Sequence, residues 1–134
     1  MAAKGSCLCG GVSYSIDGPL RDVVACHCQQ CRKQSGHFYA ATDALDTDLT
    51  IEDGGSLTWY AASDEAKRGF CKTCGSALFW KSSGSTKTSI LAGSLDGDPG
   101  IKLERHIFCA DKGAYYEIED GVQQFAQGDV GARN

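Results

Sequence analysis

Apolar and polar residues alternate along this chain in short stretches, and no stretch runs long. Val12, Tyr14 and Ile16 interleave with Ser13, Ser15 and Asp17, the period-two signature of a strand with one buried face. Segments of similar length and β-rich composition follow at 22–25, 38–42, 49–52, 57–61, 77–81, 88–93 and 105–108, with a weaker one at 115–118. Gly54-Gly55 and Ser82-Ser83-Gly84-Ser85 separate them as turns, and Pro19 and Pro99 each sit beside Gly or Asp, where turn chemistry favours proline. Only 29–35 has helical character, barely two turns. Short, regularly spaced strands with frequent turns predict an all-β fold.

Length and charge narrow this picture. The chain has 134 residues, which suits a single domain over 1–134 with room for a true core. Hydrophobic residues make up 42% and charged residues 22%, ordinary globular usage that excludes wholesale disorder. A net charge of −4 argues against a nucleic-acid partner or an anionic membrane surface, since both need a cationic face. No apolar run approaches the roughly 20 residues that span a bilayer. The start, Met-Ala-Ala-Lys-Gly-Ser-Cys, shows no apolar secretory core, so a reduced, cytoplasmic setting is expected.

The unusual figure is 8 cysteines. They fall into Cys7-Leu8-Cys9, Cys26-His27-Cys28-Gln29-Gln30-Cys31, Cys71-Lys72-Thr73-Cys74 and a lone Cys109. In a reduced compartment such clusters point to metal ligation rather than disulfides. A C-x-C or C-x-x-C turn converges two thiolates on one ion, and zinc takes four tetrahedrally at about 2.3 Å. Glycine follows each outer pair, as Cys9-Gly10-Gly11 and Cys74-Gly75, permitting positive φ and N–H groups turned toward sulfur. Cys7, Cys9, Cys71 and Cys74 therefore read as a closed structural zinc site.

The remaining triplet, Cys26, Cys28 and Cys31, supplies three thiolates. Three protein ligands and one open position characterise a working zinc, here one suited to holding an exogenous thiolate. Spacing alone leaves a second closed site equally open, with Cys109, or less readily His27, His37 or His106, as fourth ligand. His27 lies between two ligands and, in extended chain, points away from them. Arg32, Lys33 and Lys72 stand beside cysteines as candidates for substrate carboxylates, against the plainer role of solvated surface charge.

This set of motifs resembles the glutathione-dependent formaldehyde-activating enzyme family, also called CENP-V/GFA. The resemblance rests on Gly5-Ser6-Cys7-Leu8-Cys9-Gly10-Gly11-Val12, then Cys26-His27-Cys28-Gln29-Gln30-Cys31-Arg32-Lys33 with Ser35-Gly36. It continues through Phe70-Cys71-Lys72-Thr73-Cys74-Gly75-Ser76-Ala77-Leu78 and Arg105-His106-Ile107-Phe108, a motif core of about 5–110. It implies an Mss4-like fold of several small, coiled antiparallel sheets around a structural zinc. It also implies two zinc ions, the structural one on Cys7, Cys9, Cys71 and Cys74 and a catalytic one on Cys26, Cys28 and Cys31. The implied activity is that of a carbon–sulfur lyase joining a glutathione-like thiol to a small aldehyde such as formaldehyde. A non-catalytic Mss4-like zinc module for a protein partner is the alternative, and a thiol redox enzyme using Cys109 is a weaker third.

Overall fold

A computed structural model of the chain describes residues 3–128. Its elements are β1 (Ala3–Ser6), β2 (Ser13–Ile16), β3 (Val23–Cys26), α1 (Gln29–Ser35), β4 (Tyr39–Leu45) and β5 (Leu49–Glu52). They continue with β6 (Leu57–Ala61), β7 (Ala66–Cys71), β8 (Ala77–Ser82), β9 (Lys87–Leu91), β10 (Leu103–Ile107) and β11 (Gln123–Gln124). The predicted all-β character holds. Strands β1, β2 and β5 form a small antiparallel sheet, and a larger one runs β11-β10-β3-β4-β9-β8-β7-β6. Within the larger sheet β10 lies parallel to both β3 and β11, while the other pairings are antiparallel. No helix among the described residues is long and apolar enough to cross a membrane.

The period-two pattern decides how the sheets face each other. Tyr14 and Ile16 of the small sheet, with Val12 just before it, are buried in one cluster with Leu78, Phe79 and Ile90 of the large one. Full burial of an aliphatic or aromatic side chain contributes about 1.5–3 kcal/mol, and this cluster is the principal apolar seam. Tyr14 meets Phe79 edge-on at 5.5 Å, and Trp59 stacks on the same ring at 6.1 Å. Cys7 and Cys71 are buried in this cluster, so the first cysteine group grows out of the core itself.

Three strands escape the sequence pattern: β1, β7 and the two-residue β11. β1, Ala-Lys-Gly-Ser, contains no strong β-former and is a strand through its pairing with β2. Gly5 lies opposite Tyr14, and a β-carbon at that position would collide with the tyrosine hydroxyl and the Ser94 carbonyl. β7 carries Arg68 and Gly69 on opposite faces, the arginine buried toward Gln30 and Cys31 and the glycine toward Trp59 and Phe79, so neither face shows an apolar alternation. Gly69 is small because Trp59 and Phe79 close over it, each within 3.2 Å of where a β-carbon would stand.

The expected weak strand at 115–118 does not form. The Tyr115 and Tyr116 side chains instead hydrogen-bond the His37 and His27 rings, and the Lys112 ammonium donates to the Tyr116 carbonyl at 2.5 Å.

Candidate metal centres

The first centre joins two turns. Cys7 and Cys9 lie in the turn between β1 and β2, while Cys71 ends β7 and Cys74 lies in the turn to β8. Their four Sγ atoms all lie within 4.8 Å of one another, with Cys7–Cys9 at 3.6 Å and Cys9–Cys71 at 3.7 Å. A tetrahedron of sulfurs about 2.3 Å from a zinc ion has edges of about 3.8 Å. The donor set therefore fits such an ion, and all eight cysteines are free of disulfides.

Backbone geometry supports ionised sulfur here. Gly10 and Gly75 both take φ of 80°, the left-handed conformation that glycine adopts without penalty. The turn at Gly10 aims the Val12 N–H at Cys7 Sγ (3.3 Å) and the Gly11 N–H at Cys9 Sγ (3.4 Å). Ser76 Oγ lies 3.3 Å from Cys74 Sγ. That hydroxyl, with backbone N–H groups, lowers the Cys74 thiol to about 5.

The second centre is built on a strand end and a helix cap. Cys26 ends β3, Cys28 caps α1, and Cys31 sits in its first turn. Cys28 Sγ accepts the Cys31 N–H at 3.3 Å, the role a serine or aspartate fills in an ordinary N-cap. The helix stops at Gly36, φ 92°, whose N–H donates to the Arg32 carbonyl at 2.9 Å. The three Sγ atoms lie within 4.8 Å of one another, and no other His, Cys, Asp or Glu among the described residues joins them. In the absence of a cation, S–H groups of Cys26 and Cys31 stabilise the Cys28 thiolate and lower its pKa, while Cys26 is pushed far up.

The sulfurs line a cavity of about 430 Å³, within the range of small-ligand sites. Tyr39, Trp80, Ile107 and Phe108 form much of its apolar wall, and Arg21 and Arg68 are its cations. Arg21 pairs with Asp43 at 3.2 Å and donates to the Ala41 carbonyl. Arg68 is 2% exposed. Its Nε and Nη2 both donate to Gln30 Oε1, at 2.9 and 2.8 Å, and Nη2 also reaches Cys31 Sγ at 3.4 Å.

Several candidates for the fourth position lie elsewhere. Cys109 belongs to a 3-10 turn, Cys109–Asp111, where its N–H donates to the Phe125 carbonyl and burial pushes its thiol up. His27 turns away from its flanking cysteines, as extended chain requires. Its Nδ1 meets the Tyr116 hydroxyl, and its Nε2 lies 2.8 Å from His106 Nδ1. His37 meets the Tyr115 hydroxyl. Of the flanking cations, Arg32 donates to the Asp111 carbonyl at 3.3 Å, while Lys72 accompanies the four-cysteine centre, its N–H on the Ser56 carbonyl. Neither Arg32, Lys33 nor Lys72 lines the cavity.

Sequence reasoning missed Arg21 and Arg68. A usable signal existed for Arg68: it lies two residues after Ala66, on the same strand face, and a charge on a buried face needs a buried partner.

Comparison with known proteins agrees with this architecture. A Schizosaccharomyces pombe protein named an uncharacterized lyase is 24% identical over 128 residues, covering 95% of this chain and 93% of its own. A Halomonas elongata protein, whose name assigns it provisionally to the glutathione-dependent formaldehyde-activating enzymes, is 30% identical over 133 residues. That match covers 92% of this chain and 85% of the relative. The crystal structure of a Rhodobacter sphaeroides protein superposes with a TM-score of 0.60 at 28% identity, covering 75% of this chain and 97% of the other. The family model for glutathione-dependent formaldehyde-activating enzyme matches residues 2–111, a span that contains both cysteine centres. This chain belongs to the glutathione-dependent formaldehyde-activating enzyme family.

Proposed function

We propose that the protein is a zinc-dependent carbon–sulfur lyase that joins a glutathione-like thiol to a small aldehyde such as formaldehyde. The observation that carries this reading is the three-sulfur centre at Cys26, Cys28 and Cys31, set in a cavity wall with no fourth ligand from the described residues. Zinc bound there supplies a site for one exogenous thiolate and keeps it ionised near neutral pH. Cys28 and Cys31 are held by the helix cap, so the donor geometry is set by backbone before any substrate enters. Tyr39, Trp80 and Phe108 give the sulfurs an apolar surround, and the cavity leaves room for a small carbonyl compound. The new bond runs from sulfur to the carbonyl carbon, and the oxygen takes up a proton equivalent to the one the thiol gives up. Cys7, Cys9, Cys71 and Cys74 are assigned to a second zinc that fixes the fold.

Metal analysis and zinc-edge spectroscopy test the reading together. Two zincs per chain are expected, and saturating glutathione should add one sulfur ligand to one of them, raising the average per zinc by about half a sulfur. Glutathione and formaldehyde should yield S-hydroxymethylglutathione at a rate that depends on the protein. An unchanged sulfur count under saturating thiol would overturn the proposal.

A further inference from the structure

Arg68 is a charge buried where a neutral side chain would be easier to place. It is 2% exposed, and no carboxylate pairs with it among the described residues. An unpaired cation in such a setting is strongly unfavourable, so its partner must be another anion. The nearest candidate is the Cys31 sulfur, 3.4 Å from Nη2.

The guanidinium is also held from several sides. Gln30, a residue of the Cys28-Gln29-Gln30-Cys31 turn itself, grips it through Oε1 with two hydrogen bonds. The Tyr39 ring lies below it at 5.1 Å, and its own strand pairs on both sides, opposite Tyr60 and Trp80. Nη1 is buried with no hydrogen-bond partner.

We infer that Arg68 is the counter-charge that allows the Cys26/Cys28/Cys31 centre to accept a fourth, substrate-derived thiolate. The inference rests on the proposed function. Three thiolates around a divalent ion carry one net negative charge, and a fourth would make it two inside an apolar cavity. Arg68 returns the total to one, and in low dielectric such compensation strongly favours the charged ligand. A neutral fourth ligand gains nothing comparable. Arg68 thus positions charge rather than atoms, and Gln30 positions Arg68.

The test uses the full chain loaded with cobalt(II), whose sulfur-to-metal absorption reports ligation. It is titrated with 2-mercaptoethanol, with glutathione and with imidazole, a neutral ligand. Arg68→Met should bind 2-mercaptoethanol at least about tenfold more weakly than wild type, while imidazole affinity stays within about twofold. Arg68→Lys should recover much of the loss. Gln30→Ala changes an exposed residue and should give a smaller loss selective for thiols. It also keeps the test decisive if Arg68→Met fails to fold.

Equal losses for thiol and imidazole would make Arg68 structural and overturn the inference, as would thiol affinities unchanged in Arg68→Met or Gln30→Ala. A loss confined to glutathione would reassign Arg68 to substrate carboxylates and overturn it too. Wild-type protein that takes up no thiol at all would overturn this inference and the proposed function together. Arg68-dependent thiol uptake without product from any aldehyde would overturn the function alone.

Discussion

His27 Nε2 and His106 Nδ1 stand 2.8 Å apart, joining β3 to its parallel neighbour β10 through two buried rings. His106 Nε2 continues to Asp120 Oδ2 at 2.8 Å, and the Tyr116 hydroxyl meets His27 Nδ1 at the other end. With an ionised Asp120 and neutral rings, every donor points one way: Tyr116 to His27, His27 to His106, His106 to Asp120. The Val122 N–H and the His106 ring hold the Asp120 carboxyl below its ordinary range. This chain fixes His27 as a structural residue despite its place between two cysteines of the second centre.

Its titration follows from that setting. Burial, reinforced by the neighbouring His106, lowers the His27 imidazole from 6.5 to about 4. Between those values the unfolded chain binds the extra proton, so this group's contribution to stability falls as pH drops from 6.5 toward 4 and is level above 6.5. Imidazole NMR shifts should show His27 neutral at pH 5. A His27 titration midpoint between 6 and 7 would contradict the buried, hydrogen-bonded role.

The two cysteine centres should respond differently to substitution. Cys71 is fully buried in the main core, and a structural zinc contributes about 10–16 kcal/mol in apparent terms, comparable with the whole stability of a domain. Cys71→Ser is expected to lose its native circular dichroism and aggregate. Cys28→Ser should keep the fold and lose the glutathione–formaldehyde reaction. A folded, fully active Cys71→Ser protein would reverse the division of labour.

Cys109 offers a sharper discrimination. It stands on its own turn, outside both groups of converging sulfurs. Cys109→Ser should therefore retain the wild-type zinc-to-protein ratio and wild-type thiol uptake. Loss of one zinc would show that the second centre is closed by the protein.

Gly5 tests the join between the small sheet and the loop that follows β9. An added methyl meets the Tyr14 hydroxyl and the Ser94 carbonyl, and backbone oxygen cannot swing aside. Gly5→Ala should cost about 1–3 kcal/mol, a fall of several degrees in Tm for a domain of this size. Gly10 takes φ of 80° with nothing near its β-position, so Gly10→Ala should cost through backbone conformation alone, about 1 kcal/mol.

Local pattern carried some elements and not others. Helix 29–35 and strands 49–52 and 57–61 were legible to the residue, since cap, alternation and turn signals all lie within each segment. The two cysteine pairs and the triplet were legible because each spacing is local, whereas the convergence of Cys9 on Cys71 spans 62 residues. β7 was hidden, because Arg68 is buried on one face for reasons that lie in Cys31 and Gln30, and Gly69 on the other for reasons that lie in Trp59 and Phe79. The His27–His106 contact and the parallel β3–β10 pairing join residues 79 apart in sequence for the two rings. Nothing nearby in the chain announces them. Arg21 and Arg68, the cavity's cations, were missed while the cations adjacent to cysteines drew attention, because adjacency in sequence does not set direction in space.

The four-cysteine centre also imposes an order of assembly. Cys71 and Cys74 come together on the β7–β8 hairpin, a local structure of the kind that forms in microseconds. Cys9 must cross 62 residues of sequence to reach Cys71, a closure that costs more chain entropy and comes later. A nascent chain has Cys7 and Cys9 in hand long before their partners exist. Cys7 and Cys9 therefore lack the Cys71 and Cys74 sulfurs until translation supplies the hairpin. On the proposed zinc assignment, the time taken to make the intervening residues sets how long that first pair of sulfurs stays without its second pair.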